Sequence, residues 1–442
     1  MIKEAVLIFL ILNFLGCGSN AEAKELIKIG FVSFLSGPAA GDYGVPAKRA
    51  AEAIAHSINQ GMAPSPYNIN GFSGTTIKLI FSDESGGVTK QVTEFNQLVL
   101  RQKVDFVVGY LSSANCLAIS PIAERLEILT ILMDCGTARI FEENKYEYVF
   151  RTRAHATMDV VAGAKYLIKY APGLKSFSGI NPNYAYGKES WRDWQATLAQ
   201  LSPDLKVSAS VMPNLGAGNY NSEISSLLAA ESDLIFSSLW GGDLKAFLIQ
   251  ASARNLFENS RLMLVAGEPN LDNISDFLPH GTIVSSRGMT SGMMGNDSEL
   301  NNWLKKIMDD MGQKVTYPVY SVANAILGLK RAYEKARLKK IRSAVPMADV
   351  SGVKEGMEEA YYQPPTTEEI AKSFKYLRYE TPNGLVKMTL GDGHQATHGT
   401  SYGMTSKVNG KLEIVNKEFF PATEVQPPPG TKSEDWIQNG FK

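Results

Sequence analysis

Polar and aromatic side chains recur at the ends of the predicted β-strands. Hydroxyl and backbone N–H groups can hold a carboxylate, a buried acid can hold a cation, and aromatic rings can enclose an apolar ligand body. Six such residues follow a strand or lie in its turn, namely Tyr43, Ser113, Thr137, Tyr186, Trp240 and Glu268. Taken singly, each could be a core aromatic, a helix N-cap or a surface acid. Their joint position at one predicted edge of a sheet favours a binding site.

Motifs of several enzyme classes are missing from the sequence. There is no G-x-G-x-x-G turn, no P-loop and no G-x-S-x-G nucleophile elbow. His394 and His398 are four positions apart, but they lie in a Gly-rich, turn-like segment, and no metal site is predicted there. The sequence therefore predicts a protein that holds a small polar molecule without transforming it, and it predicts no metal and no cofactor.

The stretch from Gly109 to Thr137 is central to this interpretation. It reads as a strand end, a small polar turn, a helix, a strand at 128–133 and a second polar turn. Ligands of open α/β sheets bind at the carboxyl ends of the strands, where these two turns are predicted. Cys116 and Cys135 are 19 positions apart within this stretch. A disulfide between them would contribute about 3 kcal/mol on the chain-entropy model, and two free, partly buried thiols are the alternative.

Short apolar strands alternate with amphipathic helices, and the same order restarts at Ser176. This alternation predicts βαβ units and mostly parallel sheets. A chain of 442 residues is too long for one ordinary core and suits two lobes. We therefore predict an α/β protein whose two lobes face each other across a cleft.

Residues 1–23 are predicted to be a secretory signal peptide. Lys3 precedes a short apolar run, and Ala21-Glu22-Ala23 matches the small-x-small cleavage pattern. The alternatives are a lipoprotein signal, with lipid attached to Cys17, and a buried N-terminal helix. Both signals predict export, and export permits disulfides. The formal net charge of −1 gives no argument for nucleic acid as a partner.

Several segments, in their order and spacing, resemble the periplasmic solute-binding proteins of branched-chain amino acid ABC transporters (the leucine/isoleucine/valine-binding type). The segments are Ile29-Gly30-Phe31, Ser36-Gly37-Pro38-Ala39, Tyr43-Gly44, 108–113, Phe150-Arg151-Thr152 and Tyr186-Gly187. The similarity covers residues 27–330 well and the remainder loosely. It implies the type I periplasmic-binding fold, in which two Rossmann-like lobes with parallel sheets are joined by crossover strands and close by hinge motion.

The resemblance also implies lobe boundaries and polar contacts. We expect an N-terminal lobe at 26–149 plus 289–372, and a C-terminal lobe at 150–288 plus 373–442. Ser113 matches the serine that binds the ligand carboxylate, and Cys135 and Thr137 match the turn that completes this pocket. Glu268 matches the acid that pairs with the ligand's ammonium group.

The same resemblance implies an aromatic wall. Tyr43 and Tyr186 match aromatic residues that flank the ligand, and Tyr317 lies where a further aromatic is expected. Two positions depart from the pattern of amino acid binders: Trp240 replaces a tyrosine, and Cys135 replaces a small residue. A bulkier wall narrows the pocket or stacks on an aromatic ligand.

The predicted function is the exported, periplasmic solute-binding component of an ABC importer. It would deliver a small carboxylate-bearing ligand, in the first instance a branched-chain-like amino acid, to a permease. Binding of an amide, urea or an aromatic acid is the alternative, and so is a periplasmic ligand sensor acting on a regulatory partner. The segment from Lys339 onward is longer than the family pattern, and no function is assigned to it.

Overall fold

The computed structural model describes residues 26–290, 292–294, 297–344 and 363–442. The predicted signal peptide at 1–23, with Cys17, lies outside these ranges, as does part of the segment that follows Lys339. Within the described ranges, none of the helices combines the length and the apolar character that crossing a membrane requires.

The strands are short, and those nearest the middle of each sheet are almost wholly buried. Along the chain the strands are β1 (Leu26–Ser33), β2 (Thr76–Asp83), β3 (Phe106–Gly109), β4 (Thr130–Leu132), β5 (Val149–Arg151), β6 (Ser176–Ile180), β7 (Lys206–Val211), β8 (Leu234–Ser237), β9 (Arg261–Leu264), β10 (Ile283–Ser285), β11 (Arg378–Thr381), β12 (Gly384–Leu390), β13 (Gln395–Thr397), β14 (Thr400–Val408) and β15 (Lys411–Phe420).

Helices connect most of the parallel strands. They are α1 (Val45–Asn59), α2 (Gly87–Asn96), α3 (Ser113–Arg125), α4 (Arg139–Glu142), α5 (Ala156–Tyr170), α6 (Ala185–Leu201), α7 (Asn221–Ala230), α8 (Gly241–Ala253), α9 (Leu271–Ile274), α10 (Glu299–Asp309), α11 (Tyr317–Ala344), α12 (Thr367–Phe374), α13 (Ala422–Val425) and α14 (Ser433–Gln438). Further helical turns of other types occur at Ala40–Gly44, Gln97–Arg101, Glu268–Asn270, Ser275–Phe277 and Gly391–Gly393.

The first sheet forms the centre of one lobe. Its order, among the described strands, is β11-β12-β13-β5-β4-β3-β1-β2. From β13 through β5, β4, β3 and β1 to β2, each strand is parallel to the next, whereas β12 pairs antiparallel with both β11 and β13. One face packs against α1, α10, α11 and α12, and the other packs against α2 and α3. Burial on both faces explains why β3 and β4 are continuously apolar or small.

The second sheet forms the other lobe, with the order β15-β14-β10-β9-β8-β6-β7 among the described strands. Strands β6 to β10 are parallel, and β14 pairs antiparallel with β10 and with β15. Two hydrophobic clusters cover its faces, one containing α5 and α6 and the other containing α7 and α8. Two sheets with helices on both sides confirm the predicted α/β fold of two lobes.

The described chain passes between the two sheets after β5, after β10 and between β13 and β14. Strands β11 to β13 therefore pair within the first sheet, whereas the prediction placed the whole range 373–442 in the C-terminal lobe. A strand pattern indicates that a segment is extended, but the partner of that strand is decided by contacts distant in sequence. The other lobe boundaries stay a prediction.

Candidate ligand-binding site

A small cavity lies between the two lobes. Its wall comprises Tyr43, Leu111, Asp134, Gly136, Tyr184, Tyr186, Trp240, Ala266, Arg287 and Tyr317. The first lobe supplies Tyr43 and the turns after β3 and β4, and the second supplies the turns after β6, β8, β9 and β10. The cavity volume is about 20 Å³, which is room for a single water molecule. The lobes are therefore closed tightly against each other.

The first-lobe wall depends on close backbone approaches at the strand ends. Gly109 ends β3 with a φ of 153°. A Cβ atom there would lie 2.2 Å from the carbonyl oxygen of Val32, so only glycine lets β3 end beside β1 and turn into the loop before α3. Gly136, in the turn after β4, lets the Tyr186 ring of the second lobe approach closely. A Cβ atom at this position would lie 2.5 Å from that ring.

Aromatic rings dominate the cavity wall, and they contact one another both within the first lobe and across the cleft. Tyr43 meets Trp240 edge-to-face at 5.2 Å between ring centroids, and it meets Tyr317 in the same way at 5.6 Å. The Tyr43 hydroxyl donates to the carbonyl of Ala266 in the second lobe. Trp240 Nε1 donates to the Tyr184 hydroxyl at 3.1 Å. The structure thus brings four predicted residues, Tyr43, Tyr186, Trp240 and Tyr317, into one wall.

Three predicted residues lie behind that wall. The Ser113 hydroxyl oxygen accepts the backbone N–H of Thr137 at 3.1 Å. The Thr137 hydroxyl donates to the Glu189 carboxylate, at 2.6 and 2.8 Å from its two oxygens. Cys135 is joined to Cys116 by a disulfide that links α3 to the turn after β4. Ser113 and Thr137, assigned to the ligand carboxylate by the prediction, bond to protein groups in this structure.

Glu268 lies next to the cavity and is only 7% exposed. Its carboxylate accepts the backbone N–H of Tyr317 at 3.0 Å. Burial raises the pKa of Glu268 to about 7, although the Tyr317 N–H group and the positive charge of Arg153 oppose the shift. The side chain can therefore change its protonation state near neutral pH.

A cluster of buried charges borders the cavity, and the sequence interpretation missed it. Arg287 Nη1 lies 2.8 Å from Asp134 Oδ1, and Arg287 Nε lies 3.0 Å from Asp159 Oδ2. Arg153 Nε lies 3.5 Å from the same Asp134 oxygen. Asp134 and Arg287 form part of the cavity wall. Each guanidinium group follows a buried strand, β5 or β10, and that position is the sequence signal that could have revealed them.

A second, larger cavity lies between the lobes and shares Trp240 with the first. Its volume is about 330 Å³, within the range of roughly 300–1,000 Å³ typical of small-molecule sites. Phe34, Pro38 and Glu84 line it from the first lobe, and Leu215 and Asp243 from the second. Among the described residues, no cluster of three or more His, Cys, Asp or Glu side chains could hold a metal ion.

Comparison with known proteins identifies a family. A family model described as periplasmic binding protein matches residues 26–410. A search of curated proteins finds no match.

Solved structures with the same architecture are numerous. A solute-binding protein of an ABC transporter from R. palustris, in complex with 4-hydroxybenzoate, has a TM-score of 0.71 and 20% identity, covering 90% of this chain and 97% of that one. A leucine-binding protein from Thermotoga maritima MSB8 has a TM-score of 0.69 and 16% identity, covering 88% and 98%. A leucine-, isoleucine-, valine-, threonine- and alanine-binding protein from Brucella ovis, in its closed conformation, has a TM-score of 0.67 and 20% identity, covering 91% and 97%. At these identities the likeness shows the shared fold.

Proposed function

Because the chain belongs to the periplasmic binding protein family, we propose that it is the exported solute-binding component of an ABC importer. It captures a small carboxylate-bearing ligand between its lobes in the periplasm and delivers the ligand to a permease. The observation that carries this proposal is the cavity whose wall combines residues of both lobes. A ligand that contacts both lobes stabilises the closed shape, and a permease can sense that shape.

The cavity wall favours an aromatic carboxylate as the ligand. Half of the ten wall residues are aromatic: Tyr43, Tyr184, Tyr186, Trp240 and Tyr317. Edge and face contacts between such rings and a planar ligand add to the free energy gained from burial. Structural relatives from R. palustris are complexed with 4-hydroxybenzoate and with benzoate, which supports the same ligand class here.

An amino acid is the second candidate, and Glu268 favours it. This acid is buried beside the cavity and accepts the backbone N–H of Tyr317, and because a carboxylate has about four lone-pair sites it retains acceptor capacity for an ammonium group. Ser113, Cys135 and Thr137 would then form the carboxylate end of the site, as the family resemblance implies. Structural relatives include binding proteins for leucine and related amino acids.

Either ligand requires the walls to move. A volume of about 20 Å³ admits neither a benzoate nor a leucine, so capture must begin from a more open arrangement of the lobes. The neighbouring cavity of about 330 Å³ offers room for the body of a ligand beyond Trp240. We infer that the ligand enters along this side as the lobes separate.

The test is a binding panel on the purified mature protein. Isothermal titration calorimetry with benzoate, 4-hydroxybenzoate, leucine, valine, benzamide and urea should reveal at least one carboxylate ligand, with the aromatic acids tighter than the amino acids. Mass spectrometry should recover the ligand unchanged after incubation, as expected of a binding protein. Failure of every carboxylate to bind would sink the proposal. Genes for a histidine kinase beside this gene, in place of permease genes, would favour the sensor alternative.

A further inference from the structure

Arg153 is a fully buried cation whose side chain has no hydrogen-bond acceptor within the part of the chain that the structure describes. Its side chain is 1% exposed, and among the described residues none accepts a hydrogen bond from Nε, Nη1 or Nη2. Arg153 forms an ion pair with Asp134, with 3.5 Å between Nε and Oδ1. The ring centroid of Tyr317 lies 4.8 Å from the guanidinium carbon of Arg153. A buried guanidinium group normally has its donors satisfied, because leaving them unmade is strongly unfavourable.

Arg287 presents a donor at the cavity itself that no described residue accepts. Its Nε and Nη1 groups are used by Asp159 and Asp134, whereas Nη2 has no acceptor among the described residues. The side chain is 5% exposed, and the residue forms part of the cavity wall. The three guanidinium nitrogens of Arg153 and Nη2 of Arg287 are therefore up to four N–H-bearing nitrogens near Asp134 that have no acceptor among the described residues.

Tyr317 joins the two guanidinium groups to the cavity. Its ring lies 4.8 Å from the Arg153 guanidinium carbon and 5.3 Å from that of Arg287, and Tyr317 is part of the cavity wall. Arg153 is not part of the cavity wall in this closed structure, so its access to a ligand requires the Tyr317 ring to shift as the lobes open. Asn383 Nδ2 and Arg153 Nη1 both lie close to Gly288, because a Cβ atom added to this glycine would be 3.4 Å from the first and 3.7 Å from the second. Asn383 Nδ2 also has no acceptor among the described residues.

We propose that Arg287 and Arg153 hold the carboxylate of the ligand, in place of the turn that contains Ser113 and Thr137. This assignment rests on the proposed function. Asp134 and Asp159 keep both arginines charged when no ligand is bound, and the ligand carboxylate then takes the donors that those acids leave free. Paired guanidinium donors match the two oxygens of a carboxylate, so the site selects acids over the corresponding neutral amides.

Acid and amide pairs test the assignment directly. Benzoate is compared with benzamide, and leucine with leucinamide, by calorimetry on the wild type and on Arg287→Lys and Arg153→Lys. These variants keep the positive charge beside Asp134 but lose the planar set of donors. Arg254→Lys is the matched control, because Arg254 is exposed and bonds to Asn221 and Ser225 on the outside of the second lobe.

We expect the wild type to bind the acid at least tenfold more tightly than the amide. Each arginine variant should lose roughly 10- to 100-fold in affinity for the acid, with the affinity for the amide unchanged and the control like the wild type. Circular dichroism and the melting temperature without ligand establish folding, and if one variant fails to fold the other carries the test. Acid binding at wild-type strength in a folded variant overturns the assignment and leaves the proposed function standing. A wild type that binds neither acid contradicts the proposed function itself.

Discussion

Under the proposed function, Glu268 is the residue expected to distinguish an amino acid ligand from an aromatic acid. Its pKa of about 7 means that the negative charge needed to pair with an ammonium group develops between about pH 6 and pH 8. If the ligand is an amino acid, its affinity rises with pH across this interval. Glu268→Gln should then lower the affinity for leucine by about 10- to 100-fold and remove the pH dependence of that affinity. The affinity for benzoate should stay within about threefold of the wild-type value.

Calorimetry at pH 6, 7 and 8 with the wild type and this variant measures the effect. Asp204→Ala is a control, because Asp204 is exposed on the second lobe. Equal weakening of leucine and benzoate would show that Glu268 acts on the shape of the site, through its bond to the Tyr317 backbone, and would contradict the ammonium role.

Individual site residues differ in how far the sequence could reveal them. Tyr43, Tyr186 and Trp240 follow strands in Gly-rich or polar turns, a pattern that by itself predicts a position at the sheet edge. Arg153 and Arg287 also follow strands, β5 and β10, but arginine is mostly exposed in proteins, so this position alone does not predict that they are buried. Only the three-dimensional arrangement shows that both are buried and face Asp134.

At the scale of elements, Glu84 fixes the start of α3 and hence the loop that borders the cavity. Its carboxylate accepts the backbone N–H groups of Leu111 and Ser112 at 2.7–3.0 Å and the Nδ2 group of Asn115 at 3.2 Å. Removing the carboxylate leaves these buried donors without an acceptor. Glu84→Ala should lower the free energy of unfolding by about 3 kcal/mol and weaken ligand binding, because Leu111 lies in the cavity wall.

Urea denaturation followed by circular dichroism measures the stability change. Glu258→Ala is the matched control, since Glu258 is exposed on the second lobe, and this variant should stay within about 0.5 kcal/mol of the wild type. A stability loss in Glu84→Ala no larger than that of the control would show that the loop does not depend on Glu84.

The disulfide acts on the same stretch of chain. Cys116 lies in α3 and Cys135 lies in the turn after β4, so the bond closes a loop with a sequence separation of 19 residues. On the chain-entropy model this cross-link contributes about 3 kcal/mol by restricting the unfolded chain. Reduction of the wild type should therefore lower the free energy of unfolding by about 3 kcal/mol and shift the urea midpoint to a lower concentration. The urea midpoint of the variant with both Cys116→Ala and Cys135→Ala should not change when reductant is added. An unchanged midpoint on reduction would contradict this.

The elements were predictable to different degrees. The alternation of apolar strands and amphipathic helices predicts the parallel part of both sheets, since a βαβ unit places its two strands parallel in one sheet. The three strands from 378 to 397 join the first sheet through one pairing, between Gln395 and Arg151. A contact over such a sequence distance leaves no periodic signal, and this is why the predicted boundary at 373 missed it.

At the scale of the whole molecule, closure depends on a few contacts between the lobes. The backbone N–H of Gly242 donates to the Pro38 carbonyl at 2.9 Å. The Asp42 carboxylate accepts from the side-chain amide of Asn270 at 2.6 Å and from that of Asn273. These contacts exist only while the lobes are together, so each of them shifts the equilibrium toward the closed form by its own free energy. Closure and ligand affinity are therefore coupled.

Asp42→Ala should open the ligand-free protein and weaken ligand binding. Two charge-assisted hydrogen bonds are lost, and a closed form destabilised by about 1.4 kcal/mol corresponds to about tenfold lower affinity. Small-angle X-ray scattering should give a larger radius of gyration for the ligand-free variant than for the wild type, and saturating ligand should bring both to the same value. Asp204→Ala, away from the lobe contacts, should match the wild type. Unchanged scattering and affinity in Asp42→Ala would show that closure does not depend on the Asp42 contacts.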